Sequence, residues 1–286
     1  MRTILITGGT DGIGKQLVRQ WLRRGERVIV VGRSAAKGER LQREAEEIGG
    51  AERLLFFQAD LSLVAENKRI IETVGKRFDR LDRLVLCAQL QTYSKSYETT
   101  PEGFESRFAL YYLSRFVLSY QFRDLLAESD SPLIVNVSAP GTKGSVAWGD
   151  LQLQLLRSFN SIKAIMHGSK LNELLGAAFA YHNRDTAIKY VLFNPGAVRT
   201  AGAMGAFDRK LMRLAVGLMY RLVGQTVERA AQPILHLADS PPDAPLTAYR
   251  QAAALDISRI IPSTDEALKL YHQTMELLKQ VPDTPS

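Results

Sequence analysis

Short apolar runs alternate with longer amphipathic stretches along most of the chain. The runs are rich in β-branched residues and lie at residues 4–6, 27–31, 54–58, 83–87, 133–137 and 189–193. Short runs that are apolar on both faces are typical of parallel strands with helices on both sides of the sheet. The stretches between them are long enough for right-handed helical crossovers. The pattern therefore predicts one α/β domain, residues 1–286, whose ligands bind at the carboxyl ends of the strands.

A glycine-rich turn follows the first apolar run. Residues 7–15 read Thr-Gly-Gly-Thr-Asp-Gly-Ile-Gly-Lys and lead directly into a helical pattern. Gly8 permits a tight exit from the strand, Gly12 lets the backbone approach a pyrophosphate, and Gly14 allows the helix to pack closely on the sheet. The amides at the start of the helix then point at the anion. The turn predicts a dinucleotide site on a Rossmann-type fold with a doubly wound parallel sheet.

Composition and charge narrow the class of protein. The chain has 286 residues, of which 45% are hydrophobic, a net charge of +7 and one cysteine, Cys87. A single cysteine excludes an internal disulfide, and the four scattered histidines have no metal-ligand spacing, so we expect no metal. The charge favours an anionic substrate, a phosphorylated cofactor or an acidic partner such as a carrier protein, although a solvated surface is the commoner reason. Aromatic residues do not interleave with the basic ones, so nucleic-acid binding is not expected.

The longest apolar runs and the two ends of the sequence bear on where the protein is located in the cell. No run approaches the about 18 apolar residues of a membrane span, and the chain enters its first strand without a charged-then-apolar leader. We therefore expect no membrane span and a cytoplasmic location. Residues 241–245 form a Pro-rich turn, and residues 282–286 are expected to be a frayed tail.

The end of the second run bears on the choice of cofactor. A carboxylate at this position would bind the ribose hydroxyl groups of NAD and repel a 2′-phosphate. The run ends Val31-Gly32-Arg33-Ser34 instead, so no acid is present and a guanidinium is available for bidentate phosphate contact. This favours NADP(H) over NAD(H), with Lys15 and Lys37 as helpers. The alternative is that Arg33 is an ordinary surface residue.

Several segments together resemble the short-chain dehydrogenase/reductase family over nearly the whole chain, and its retinol-dehydrogenase-like branch above all. They are the glycine-rich turn, Asp60-Leu61, Asp150-Leu151-Gln152, Ser169-Lys170-Leu171-Asn172, Asn194-Pro195-Gly196-Ala197-Val198-Arg199-Thr200 and Leu270-Tyr271. The resemblance implies cofactor contacts from Gly8, Thr10, Gly12, Ile13, Gly14, Arg33, Asp60, Ala88, Lys170, Pro195, Val198 and Thr200. Within this set Asp60 would accept from the adenine amino group, with a helix N-cap as its alternative role. Val198 and Thr200 would hold the carboxamide.

The chain departs from the family pattern at the catalytic acid. The family has a tyrosine four residues before the active-site lysine, and Met166 stands there in this chain. A thioether has no proton to give, and general acid–base catalysis is typically worth ~10²–10⁴ in rate. Tyr111 replaces an asparagine that supports a proton-relay water, and Gln89 stands where a glycine leaves room near the cofactor. The resemblance retains Ser138 at the reacting oxygen and Lys170 at the nicotinamide ribose.

Other side chains are candidates for the missing acid. Tyr93, Tyr111 and Tyr112 are expected near the rim of the cleft, although packing is the commoner role of each. The candidate catalytic set is therefore Ser138, Lys170, Tyr111, Tyr93 and Met166. His167 is expected to face the surface, because consecutive helical residues point about 100° apart. Cys87 is expected to be a small buried hydrophobe rather than a nucleophile.

The segment after the Pro-Gly turn covers the substrate in the family. Here it carries leucines at helical spacing, which predicts an apolar lid over about residues 201–225 and a hydrophobic small-molecule substrate. Ordinary core packing and a peripheral membrane contact are the alternatives. The resemblance also implies a homo-oligomer, since the long helices that carry Tyr111 and Lys170 pair between subunits in many relatives.

Three functions fit these residues. The first is a repurposed biosynthetic enzyme that binds NADP(H) but performs a non-redox step, such as cyclisation, isomerisation or dehydration, on a hydrophobic carbonyl compound, with Ser138 polarising an oxygen. The second is an NADPH-dependent oxidoreductase that acts on an iminium, enone or ketone with a surrogate proton donor. The third is a catalytically silent binding protein. The sequence ranks the non-redox step first.

Overall fold

The structure is a computed structural model, and it describes residues 1–90, 96–156, 159–199, 224–261 and 263–281. These residues include one eight-stranded sheet with the order β3-β2-β1-β4-β5-β6-β7-β8, in which only the pairing of β7 with β8 is antiparallel. The strands are β1 Thr3–Thr7, β2 Arg27–Gly32, β3 Leu54–Gln58, β4 Arg83–Leu86, β5 Leu133–Val137, β6 Lys189–Asn194, β7 Leu246–Arg250 and β8 Ala253–Leu255. The chain order reverses between β1 and β4, which places the expected crevice at the carboxyl ends of these two strands.

The predicted Rossmann-type sheet is confirmed. The runs at 54–58 and 133–137 match β3 and β5 in full, and the other four differ from the observed strands by one or two residues. β7 and β8 were not among the predicted strands; β7 continues the parallel sheet, and β8 adds an antiparallel strand at its edge. In β7 only Ala248 is fully buried, because the strand lies near the edge of the sheet and its sequence lacks a continuous apolar run.

Helices cover both faces of the sheet, as the crossover pattern requires. Those of four residues or more are α1 Gly12–Arg23, α2 Ala35–Glu47, α3 Val64–Gly75, α5 Ser114–Gln121, α6 Arg123–Ala127, α7 Ser161–His182, α8 Val227–Asp239, α9 Ile257–Ile260 and α10 Thr264–Lys279. The short helix α4, Ser106–Phe108, continues through a π-helical turn at Ala109–Leu113 into α5. One core lies between the sheet and α3, α5 and α7, and a second lies between the sheet and α1 and α8. Within the described ranges, no helix combines the length and the apolar character that crossing a membrane requires.

The last helix, α10, packs on α5 and α7. The Tyr112 hydroxyl lies 2.6 Å from the Thr274 hydroxyl, and both side chains are fully buried. The ring of Tyr271 packs 5.6 Å from that of Phe116 and 5.1 Å from that of Tyr120. The chain's own last helix therefore covers one side of the two helices on which the expectation of a homo-oligomer rests, and that expectation stays a prediction.

Candidate functional site

The glycine-rich turn connects β1 to α1, and its close contacts leave no room for side chains. A Cβ added to Gly14 would lie 2.4 Å from the carbonyl oxygen of Gly8, and one added to Gly8 would lie 2.9 Å from the Ala88 backbone. Gly8 and Gly12 have φ values of +69° and +52°, where glycine is preferred. The Ala88 amide donates to the Thr7 hydroxyl at 3.2 Å, which joins the ends of β1 and β4. The turn thus keeps the backbone open for the approach of a pyrophosphate.

Asp11 caps α1 and binds a lysine. Its carboxylate accepts from the Gly12 amide at 2.8 Å and from Lys37 Nζ at 2.6 Å. Burial alone would raise the pKa of Asp11, but these two hydrogen bonds and the lysine charge outweigh burial and lower it. Arg33 is exposed directly after β2, so two cations flank the place where the adenosine end of a dinucleotide is expected. Lys15, the other suggested helper, pairs with Glu44 at 3.1 Å.

Three further predicted cofactor residues have defined places. A Cβ added to Gly32 would lie 3.3 Å from Cγ2 of Thr10, so Thr10 adjoins the end of β2. Ile13 packs partly buried against the core under α1. Asp60 accepts from the amide and the hydroxyl of Ser62 at 3.0 and 2.7 Å, both through Oδ1. Asp60 therefore closes a turn, and its alternative role as an N-cap is wrong for α3.

A glutamate from another segment of the chain, rather than Asp60, binds the first amides of α3. Glu102 accepts from the amides of Val64 and Ala65 at 2.6 and 3.0 Å, so this residue satisfies the first turn of the helix. The carboxylate of Asp60 thus has no capping duty to α3, and its predicted contact with the adenine stays a prediction.

Helix α7 carries Met166 and Lys170, for which the sequence resemblance predicts the positions of the family's acid and lysine. Met166 and Lys170 are one turn apart and share a face. A Cβ added to Gly144 would lie 3.6 Å from both Lys170 Cγ and the Met166 carbonyl, so the segment after β5 packs on this face. Lys170 Nζ lies 2.8 Å from Glu173 Oε2, and Glu173 Oε1 accepts from the Gly141 amide at 2.8 Å. The lysine is thereby tied to the segment that follows β5.

Ser138 lies directly after β5, at the carboxyl end of the sheet. Its amide donates to the Phe193 carbonyl at 2.8 Å, and its hydroxyl lies 3.5 Å from the Asn136 carbonyl, at the limit of a hydrogen bond. The side chain is buried. The weak bond leaves the hydroxyl proton available to a better acceptor, and the predicted role of Ser138 toward a reacting oxygen stays a prediction.

The two tyrosines of the π-helical turn do not lie at the cleft rim, so that prediction is wrong for both. Tyr112 is fully buried against Thr274, and Tyr111 is buried with its hydroxyl 3.2 Å from the Ser169 hydroxyl. Because Ser169 donates to the Ile165 carbonyl at 2.8 Å, Tyr111 must donate to Ser169. Burial raises the pKa of Tyr111, which the nearby Arg115 charge and the Ser169 bond oppose. Tyr93 lies outside the described residues.

A buried polar network beneath the strand ends was missed by the sequence analysis. The Arg115 guanidinium donates to the Asn136 side chain, to the Val137 carbonyl at 2.9 Å and to the Ala88 carbonyl at 3.1 Å, and lies 4.5 Å from the centre of the Tyr111 ring. Burial lowers the pKa of Arg115. The only available signal was a charge inside the apolar stretch that forms α5. The network joins the ends of β4 and β5 and so fixes the floor of the site.

Asn172 extends this network to α7. Its side-chain oxygen accepts from the Asn136 amide at 2.8 Å, and its own amide donates to the carbonyls of Tyr111 and Gly168 at 2.8 and 2.7 Å. A Cβ added to Gly168 would lie 2.7 Å from the Tyr111 ring, so a glycine is needed where the π-helical turn meets α7. These contacts fix the position of α7, and with it that of Met166 and Lys170, relative to β5.

The surroundings of His167 and Cys87 can also be compared with those that the sequence predicts. His167 is 6% exposed, and its Nε2 accepts from the Ala147 amide at 3.1 Å, so the prediction that it faces the surface is wrong. The reason is that the segment before α7 folds back over this side of the helix. Burial lowers the pKa of His167 to about 4. Burial raises the pKa of the Cys87 thiol to about 12, which agrees with an inert cysteine.

The Pro-Gly turn follows β6. Val198 is buried and forms a parallel bridge with Gln225, and the Arg199 amide donates to the Gln225 carbonyl at 3.0 Å. Gln225 also donates to the Pro195 carbonyl. Val198 and Arg199, which precede the predicted lid, are therefore paired with Gln225 at its end. Thr200, residues 201–223 of the predicted lid (201–225) and the predicted tail from 282 to 286 lie outside the described residues.

Two further sequence predictions concern Gln89 and the absence of a metal site. Gln89 is exposed beyond the end of β4, so its large amide does not fill the interior. Across the described ranges, no three His, Cys, Asp or Glu side chains are grouped to hold a metal ion. The described part of the candidate site thus consists of the glycine-rich turn, the cations Arg33 and Lys37 after β2, and the pair of Lys170 and Glu173 on α7.

Comparison with known proteins gives a consistent family. A protein-family model described as "short chain dehydrogenase" matches residues 2–210. The chain is similar to retinol dehydrogenase 12 of Mus musculus, with 26% identity over 285 residues that cover 97% of this chain and 86% of that protein. Among solved structures, a short chain dehydrogenase from Salmonella enterica serovar Typhi has a TM-score of 0.66 at 21% identity, covering 88% of this chain and 96% of its own. An alcohol dehydrogenase from Thermococcus sibiricus, solved with 5-hydroxy-NADP, has a TM-score of 0.64 at 19% identity, covering 87% and 95%.

Proposed function

Because this chain belongs to the short chain dehydrogenase family, we propose that it is an NADP(H)-dependent oxidoreductase that acts on a hydrophobic carbonyl compound without a tyrosine acid. The observation that carries the proposal is the glycine-rich turn, where a Cβ at Gly14 would lie 2.4 Å from the Gly8 carbonyl oxygen and the backbone is left open to a pyrophosphate. Similarity to a retinol dehydrogenase favours a redox reaction. The redox function therefore replaces the non-redox step as the first choice.

NADP(H) is proposed over NAD(H) from the charges near the adenosine end. Arg33 is exposed directly after β2, and Lys37 lies on the first turns of α2, where its ammonium is held by Asp11. A guanidinium and an ammonium together suit a 2′-phosphate, and no carboxylate follows β2 to bind the ribose hydroxyl groups instead. The similar alcohol dehydrogenase was solved with 5-hydroxy-NADP, which supports a nicotinamide cofactor.

The roles of the remaining residues follow from their places. The bound cofactor would supply a hydride to the substrate. Ser138 at the end of β5 would bind the substrate oxygen, Lys170 would hold the nicotinamide ribose, and Val198 and Thr200 would hold the carboxamide. Met166 contributes shape and no proton. Substrates whose reduction needs a proton late, or not at all, such as an enone or an iminium ion, suit such a site.

A non-redox step on the same site is the second candidate. The observation that favours it is the arrangement of the hydroxyl groups: Met166 has none, and the Tyr111 hydroxyl donates to Ser169. Cyclisation, isomerisation or dehydration would then use Ser138 to polarise an oxygen and the apolar surroundings to hold a reactive conformer. A cytoplasmic location and an acidic carrier protein as partner stay predictions.

A panel of hydrophobic aldehydes, ketones, enones and iminium ions tests these functions. The protein is mixed with NADPH and each compound, the absorbance of the reduced nicotinamide is followed, and products are identified by mass spectrometry. Oxidation of NADPH together with a reduced product is the expected result. Product formation without NADPH oxidation would replace this proposal by the non-redox step, and neither change would favour a binding protein. The Gly14→Ala variant is the control, because its methyl group would occupy the turn and abolish NADPH binding.

A further inference from the structure

Helix α7 contains a buried acid in a stretch that is otherwise almost entirely apolar. Glu173 lies within Leu171-Asn172-Glu173-Leu174-Leu175, and its side chain is only 1% exposed. Isolated burial of a carboxylate is costly, so such groups are retained where partners compensate them. Here the partners are the Lys170 ammonium and the Gly141 amide, each at 2.8 Å. Burial raises the pKa of Glu173, and these two partners oppose that rise.

Lys170 is placed so that it can serve both Glu173 and the site. Its stem lies under Gly144, and its side chain is 18% exposed, so the ammonium is neither sealed in the core nor free in solvent. An ammonium has three N–H donors, and Glu173 takes one of them. Two donors remain for the proposed contact with the nicotinamide ribose and for the substrate. Met166, one turn earlier on the same face, offers no competing proton.

We propose that Lys170 is the proton donor of this site and that Glu173 is the positioning residue that holds the Lys170 ammonium in place, so that the pair replaces the missing tyrosine. The inference rests on the proposed function, because it assigns the proton that accompanies reduction. The carbon of the substrate gains the hydride, and its oxygen takes a proton from Lys170 Nζ. The resulting neutral amine regains a proton from water on its exposed side. The net change is the addition of one hydride and one proton to the substrate, and NADPH becomes NADP⁺.

Apart from Ser138, which would bind the substrate oxygen through a hydrogen bond, the other candidate donors are committed elsewhere. The Tyr111 proton goes to Ser169, and the ring of His167 faces the Ala147 amide on another side of the helix. The Cys87 thiol holds its proton, since burial raises its pKa to about 12. Among the described residues on this face of α7, the Lys170 ammonium is the group that combines partial exposure with protons to give.

The test compares Glu173→Gln with a matched variant. A Gln side-chain oxygen can still accept from the Gly141 amide, so the substitution removes the charge beside Lys170 and retains the tether to the segment after β5. Glu105 is the control, because it is also buried and also accepts a backbone amide, from Phe108 at 2.6 Å, yet it lies in the cap of α4. With an acceptor that the wild type reduces, Glu173→Gln should lower kcat by about 10-fold or more and leave the NADPH affinity within about 2-fold. Glu105→Gln should retain the wild-type rate.

A second background separates proton donation from mere support of the fold. In the Met166→Tyr background a phenol can give the proton. Adding Glu173→Gln to that background should therefore lower kcat by less than about 3-fold. Equal losses in both backgrounds would show that Glu173 is only structural. Hydrogen exchange without cofactor supplies a readout apart from activity: the Gly141 amide should stay protected in Glu173→Gln and lose protection in Glu173→Ala. Unchanged protection in Glu173→Ala would overturn the tether.

Lys170→Arg covers the case in which Glu173→Gln does not fold. Arginine keeps the charge and the donors but does not release a proton, so NADPH should bind while the reduction rate falls by about 10-fold or more. If the wild type oxidises NADPH and neither Glu173→Gln nor Lys170→Arg slows it, the pair is overturned and the proposed function stands. If the wild type binds NADPH and oxidises none with any acceptor, the proposed function itself fails, and the pair fails with it.

Discussion

Replacing His167 by Gln should make the protein less sensitive to acid. His167 is buried, and its Nε2 accepts from the Ala147 amide, which requires a neutral ring with its proton on Nδ1. Burial lowers the pKa of His167 to about 4, against the opposing effect of the Asp150 carboxylate. The unfolded chain has a histidine pKa of about 6.5, so it binds more protons than the folded protein between these two values. The free energy of unfolding therefore falls as the pH is lowered through this window, by about 2 kcal/mol between pH 7 and pH 5 for this residue alone.

Urea unfolding at both pH values, followed by circular dichroism, measures this loss. The amide oxygen of Gln can accept from Ala147 without titrating, so His167→Gln should lose about 2 kcal/mol less than the wild type. Glu105 and Arg107 line a cavity of about 10 Å³ beside His167, and they are the same in both proteins, so their titration cancels in the difference. His236→Gln is the control at an exposed histidine and should behave as the wild type. Identical pH dependence in His167→Gln and the wild type would refute the reasoning.

Three further outcomes are expected. Arg33→Ala should weaken NADPH binding by about 1.5–3 kcal/mol in calorimetric titration and leave NADH binding unchanged, because the lost contact is to the 2′-phosphate; equal affinities of the wild type for both cofactors would contradict this. Met166→Tyr should raise the reduction of simple ketones by at least about 10-fold, since it returns a phenol one turn from Lys170; a wild type that already reduces ketones at rates typical of a good ketoreductase would argue against it. Tyr112→Phe should lower the free energy of unfolding by about 1 kcal/mol, because it removes the hydrogen bond that the Tyr112 hydroxyl donates to Thr274. Tyr112 is the donor in this bond, since the Thr274 hydroxyl itself donates to the Leu270 carbonyl at 2.8 Å. No loss in urea unfolding would show that the bond contributes nothing.

The strands with short continuous apolar runs could be predicted from the sequence. β5 was located in full because an inner strand of a parallel sheet reads as a continuous apolar run, and β3 was located in full because Leu54–Gln58 is also a mostly apolar run, although β3 lies at the edge of the sheet. The glycine-rich turn could also be located, since its chemistry is local and Gly8, Gly12 and Gly14 lie within seven residues between a strand and a helix. β7 and β8 could not, because Thr247 and Arg250 interrupt the apolar pattern of β7, and β8 has only three residues, two of them alanines, which have a low strand propensity.

The charged groups of the site were harder to predict, since their partners come from distant parts of the chain. Arg115 binds the ends of β4 and β5, and Glu173 binds a loop amide 32 positions away. His167 was misplaced because periodicity assumes one solvent face, whereas α7 is covered by the sheet, by α10 and by the segment before it. For such a helix the position of a side chain on the wheel does not decide its exposure.

The packing of α10 also has a consequence for synthesis of the protein. The bond between Tyr112 and Thr274 spans 162 positions, so α10 can cover α5 only after Thr274 has left the ribosome. Chains grow by about 5–20 residues each second, which leaves the aromatic side chains of Phe116, Tyr120 and Tyr112 exposed on the nascent chain for seconds. During that interval these side chains form an exposed apolar surface, which favours aggregation or chaperone binding. A chain that ends before Thr264 would retain this surface permanently, which makes the last helix a requirement for a well-behaved product.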